Sequence, residues 1–155
     1  MKASAILFLF LSLTVPLMAQ THYGIGVAAG AQTIQRGSSS DTKLLSAVEL
    51  FGQSGPWSAA VAGEWADPQM TIVHGDVTRA ISPWFRVGAG PSYVKLRGFT
   101  AQTTWNVEAE LVRPVARMEV LLRARYCPFH VEAFRDEAKA KSPAVYGGVR
   151  YAFGR

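Results

Sequence analysis

The sequence predicts an all-β chain: eight antiparallel strands closed up-and-down into a barrel that crosses a bilayer. Three observations predict it. Behind an apolar leader, eight segments of about ten residues alternate in hydropathy with a period of two. Within those segments the large aromatics fall at both ends of one face, while the ionised side chains fall on the other. No later run approaches the ~20 apolar residues of a spanning helix, so passage through lipid requires a closed barrel, which leaves no backbone group unpaired.

The leader comes first. Lys2 supplies a positive start, Ala5 to Val15 form a short apolar core, Pro16 breaks it, and Ala19-Gln20 offers a small residue for cleavage. Residues 1–19 are therefore expected to be removed as a signal peptide, leaving 20–155 as one barrel domain. Cys127 is the single cysteine, which excludes an internal disulfide and the small secreted scaffolds that depend on one. The formal charge is +5, but the basic residues are scattered along the chain, which argues against nucleic acid as a partner.

The expected strands follow in order: Tyr23–Ile34, Lys43–Gln53, Trp57–Trp65, Met70–Ile81, Trp84–Leu96, Thr103–Arg113, Ala116–Phe129 and Ala144–Phe153. Each is near the ~9–11 residues of a tilted transmembrane strand. Their connections alternate. Gln35–Thr42 is a polar loop, Ala66–Gln69 and Arg97–Phe99 are shorter ones, and His130–Pro143 is a long charged one. Ser54-Gly55-Pro56, Ser82-Pro83 and Pro114-Val115 are tight turns. Short turns on one side and longer loops on the other are the habit of outer-membrane barrels, and they place both termini on the periplasmic side. In the fifth strand, Pro91 cannot donate to a ladder, so a bulge or bend is expected there.

Trp57 and Trp65 share a face eight residues apart, as do Phe85 and Tyr93. Eight residues cover about 26 Å of strand, or roughly 20 Å along the membrane normal at ~40° tilt. One aromatic belt then holds Tyr23, Trp57, Phe85, Tyr151 and Phe153, and the other Trp65, Tyr93, Trp105 and Tyr126. The opposite parity holds Glu49, Glu64, Asp76, Glu108, Glu110 and Glu119 against Arg86, Arg117, Arg123, Arg125 and Arg150, with His74 among them. An isolated buried charge is very costly, so an interior polar network is expected, with guanidinium forks on carboxylates. Lys95 and Arg79 point outward near strand ends, where their stems can snorkel.

Tyr146-Gly-Gly148-Val-Arg-Tyr151-Ala-Phe153 resembles the terminal-strand signal read by the outer-membrane assembly machinery, on Gly148, Tyr151 and Phe153; Gly154-Arg155 follow it here. Over its whole mature length the chain resembles the OmpA/OmpX/OmpW-type eight-stranded barrel superfamily. The resemblance implies a Gram-negative outer membrane, with lipid, lipopolysaccharide and the assembly machinery as partners, and a monomer.

No catalytic residue and no cofactor is expected. An eight-stranded barrel is only wide enough for side chains to fill, so the interior charges read as a salt-bridged plug before they read as a narrow small-solute channel. His74 and Asp76 sit two apart on one face and suggest a metal or acid–base pair, but the surrounding charges favour a structural network, and no metal is expected. Lipid A deacylases of this size carry a His-x-Ser motif; His130 is followed here by Val131-Glu132, and Ser142 lies across the loop. The loop's Arg135, Lys139 and Lys141 could touch lipopolysaccharide phosphates or simply be solvated. The expectation is a structural or interaction barrel without catalysis, with a channel and a lipid A-modifying enzyme as the alternatives.

Overall fold

The structure is a computed structural model that describes residues 22–36, 38–66, 70–133 and 136–153. The leader, residues 1–19, lies outside them. Eight strands form one closed barrel: β1 (His22–Arg36), β2 (Ser39–Ser54), β3 (Trp57–Ala66), β4 (Met70–Ser82), β5 (Phe85–Leu96), β6 (Gln102–Val115), β7 (Met118–Ala133) and β8 (Asp136–Phe153). Every neighbour is antiparallel and consecutive, and β8 closes on β1 through pairs such as Tyr23↔Phe153 and Gly30↔Tyr146. Closure removes both sheet edges, the condition for burying a sheet in lipid.

The strands outrun the sequence expectation at one end. The expected polar loop Gln35–Thr42 is mostly strand, with Ile34↔Asp41 and Arg36↔Ser39 in register. The expected long loop His130–Pro143 is likewise a hairpin, paired from Cys127↔Ser142 to Ala133↔Asp136. Polar side chains made both stretches read as loops. A strand continues, however, wherever a neighbour satisfies its backbone, and beyond an apolar band both faces of a hairpin tolerate polar residues.

The opposite end, here the turn end, is tighter. Gly55-Pro56 links β2 to β3 with Gly55 at φ 55°, and Ala116-Arg117 links β6 to β7 with Ala116 at φ 55°. A positive φ at the first central residue matches the twist of the flanking strands. Arg117 was expected to face the interior. It occupies this turn instead and is exposed, because the turn takes it out of the ladder whose parity would have aimed it inward. Its carbonyl accepts a hydrogen bond from the Ala152 amide.

The bulge expected at Pro91 is also displaced. The β5–β6 register runs through Pro91↔Trp105 without a shift, and the one shift in β4–β5 lies between Ala80 and Ser82. At Gly90-Pro91 the β4–β5 ladder instead lapses opposite Gly75-Asp76. A Cβ on Gly90 would stand 1.8 Å from the Gly75 carbonyl oxygen, so only glycine permits this approach.

Candidate functional site in the barrel lumen

Alternation along each strand sends one set of side chains out and the other into the closed lumen. The outer wall is apolar all round: Val27, Leu50, Val61, Val107, Leu122 and Val145 are exposed. Tyr23, Trp57, Tyr151 and Phe153 are exposed toward the turn end, and Phe85 is half-buried there. Tyr23 and Tyr151 pack on Phe153 at 6.0 and 5.4 Å between ring centroids. Trp65, Tyr93, Trp105 and Tyr126 are exposed toward the loop end. Arg79 and Lys95 face outward, and the Arg79 guanidinium lies 5.5 Å over the Trp57 ring. A water-soluble barrel would not carry so large a continuous apolar surface.

The lumen is built in layers. Nearest the turn end, Arg86 grips Glu119 with both terminal nitrogens, at 3.2 and 3.1 Å, and reaches Gln53 at 3.2 Å. Above it lies a four-residue ionic centre. Arg150 donates to Glu110 at 2.8 and 3.1 Å and also to Glu49. Arg123 donates to Glu110 at 2.6 Å and to Glu49 at 2.7 Å. Glu49 and Glu110 are thus each shared by the same two guanidiniums. Gly26 makes room for this centre, since a Cβ there would come within 2.6 Å of Glu49 Oε1.

Tyr146 joins the centre to the next layer. Its hydroxyl accepts from Arg123 at 3.1 Å and donates to Glu64 at 2.8 Å. Glu64 is also held by Arg125 and lies 2.9 Å from His74 Nε2. His74 Nδ1 faces Asp76 Oδ2. Glu108 is buried beside them, with Arg123 Nε 3.5 Å from its Oε2. Of the interior residues named from the sequence, all but Arg117 are therefore buried in the lumen.

Toward the loop end the filling changes character. Leu45, Met70, Ile72, Val94, Leu96 and Phe129 form a buried apolar cluster within the barrel. The sequence expectation names only charged residues for the interior, and this layer adds an apolar filling to it. Its residues share the parity of the charged ones, so alternation alone could have revealed them. Tyr146, Gln53 and the buried pair Gln32–Ser142 were missed in the same way. Ser142, weighed beside His130 for hydrolase chemistry, is buried with its hydroxyl against Gln32. Cys127 is a buried free thiol. On β8, Tyr151 and Phe153 face outward, while Gly148 packs so closely on β1 that a Cβ would meet that of Ala28 at 2.6 Å.

No family model and no curated protein matches the chain. Solved structures do. The chain superposes on Neisserial surface protein A with a TM-score of 0.61 and 14% identity, over 84% of this chain and 97% of that one. Its fold is that of the small outer-membrane barrels. A de novo designed barrel, TMB2.3, follows at a TM-score of 0.50 and 9% identity, over 88% of this chain and 98% of that one. At such identities the likeness is one of architecture, carried by strand number, closure and alternation.

Proposed function

We propose that this protein is a sealed, non-catalytic barrel of the Gram-negative outer membrane, delivered there after removal of residues 1–19, with both termini in the periplasm. It acts as a rigid structural body that presents hairpin tips outside. The observation that carries this reading is the filled lumen: two ion-paired layers, a tyrosine-linked layer and an apolar layer are stacked along the axis. Ions crossing such a stack would have to break buried pairs and then enter a hydrocarbon-like plug.

Lipid meets the apolar wall, and lipopolysaccharide phosphates meet basic residues near the loop end, among them Lys95 and Lys141, both exposed. Gly148, Tyr151 and Phe153 engage the assembly machinery during insertion, after which the barrel stands as a monomer. Planar-bilayer recording of refolded protein tests the central point. No steady conductance is expected, and stable single-channel steps would replace this reading with a pore. Mass spectrometry of lipid A from cells with and without the protein is expected to show identical species, and a new acylation pattern would make it an enzyme.

A further inference from the structure

We propose that the lumen holds one divalent first-row transition-metal ion on His74, Asp76 and Glu108. These residues come from the two strands that flank the glycine-thinned β5, His74 and Asp76 from β4 and Glu108 from β6. One potential ligand atom from each lies within 4.8 Å of the others. The site goes beyond the structural reading above and departs from the sequence expectation of no metal.

Three observations are consistent with a bound cation. The first is unmet acceptors. Asp76 Oδ1 and Glu108 Oε2 have no hydrogen-bond partner, although the two residues are only 2% and 5% exposed. Asn106 Oδ1, one inward position before Glu108 on β6, is unpartnered as well. Buried carboxylate oxygens are rarely left so. By contrast, Glu49 and Glu110 in the neighbouring centre are each gripped by both Arg123 and Arg150.

The second is charge. Among the described residues six buried carboxylates face four buried guanidiniums and His74. With Arg117 in the turn rather than the lumen, two negative charges remain when the imidazole is neutral. One divalent ion cancels both.

The third is the histidine's own geometry. Nε2 sits 2.9 Å from Glu64, a carboxylate already engaged by Arg125 and Tyr146. When Nε2–H donates there, the Nδ1 lone pair is turned on Asp76 Oδ2, acceptor against acceptor. A proton on Nδ1 or a cation bound there resolves that contact. A metal-bound imidazole whose other nitrogen donates to a carboxylate is the common outer-shell arrangement, and it fixes this tautomer. One imidazole with two carboxylates suits Zn²⁺ or Mn²⁺ better than the all-oxygen preference of Mg²⁺. Because the site is enclosed between the ionic centre and the apolar layer, the ion loads as the barrel closes.

The test is refolding from urea into detergent micelles with Zn²⁺, Mn²⁺ or Mg²⁺, followed by desalting and elemental analysis. The wild type is expected to retain about one Zn²⁺ or Mn²⁺ per chain and little Mg²⁺. Asp76→Asn/Glu108→Gln should retain at least about tenfold less, while Cys127→Ala should match the wild type. A second reading needs no variant: wild type refolded with Co²⁺ should show visible d–d absorption without a thiolate charge-transfer band. Wild type holding less than about a tenth of an ion, or a double variant holding as much as the wild type, overturns the site and leaves two protons as the neutralising charge.

Discussion

Two neighbouring regions of the lumen solve the same electrostatic problem differently. In the ionic centre, Glu49 and Glu110 face Arg123 and Arg150, and each carboxylate takes charged hydrogen bonds from both guanidiniums. In the adjoining sector, His74, Asp76 and Glu108 share no guanidinium of their own; Arg123 stands 3.5 Å from Glu108 but is already committed to the centre. The first region is a closed set of donors and acceptors, and its parts hold one another in place. The second is an open set that needs a charge from outside the chain. Burial is nearly equal in the two, so burial alone does not distinguish a structural network from a binding site. The supply of donors does.

Substitutions should separate the two regions, with the largest effect in the closed set. Arg150→Met leaves Glu49 and Glu110 to share Arg123 alone and is expected to cost about 3–5 kcal/mol of stability, measured by urea unfolding in micelles. A loss under about 1 kcal/mol would show that the centre is solvated. Met70→Ala opens a void in the apolar layer and should cost about 2–3 kcal/mol in the same assay. If it also admits steady current in a planar bilayer, that layer is the barrier to ions.

Glu108→Gln should act in the opposite direction. In chelator-treated protein it removes a buried charge whose Oε2 has no hydrogen bond, so stability is expected to rise, by about 1 kcal/mol. Refolding with Zn²⁺ should reverse that order, since the wild type alone keeps its full ligand set. Equal midpoints under both conditions would place Glu108 in the closed network. Smallest of all, Arg117→Ala in the exposed turn should change stability by no more than about 0.5 kcal/mol. A loss as large as that of Arg150→Met would return Arg117 to the lumen.

The barrel was legible because its signal is local. Trp57, Ala59, Val61 and Trp65 alternate with Ser58, Ala60, Ala62 and Glu64 whatever lies beside them, and β3 follows that parity. Strand ends were less legible. Asp136–Lys141 reads as a loop from its charges, and it becomes strand only because β7 offers it a ladder. Arg117 shows the same limit at one residue: parity assigns a direction only where the ladder continues, and the turn at Ala116 ends it.

By itself the sequence determined which side chains face together, because a period of two is a property of the extended backbone and needs no partner. Only the tertiary structure decided what those side chains meet. Glu49 reaches Arg123 and Arg150 across 74 and 101 residues of chain, and Tyr146 reaches Glu64 across 82. Such pairings depend on the stagger with which the barrel closes, and that stagger sets the heights of residues on opposite walls. It left one oxygen each of Asp76 and Glu108 without a hydrogen bond while the centre beside them was filled.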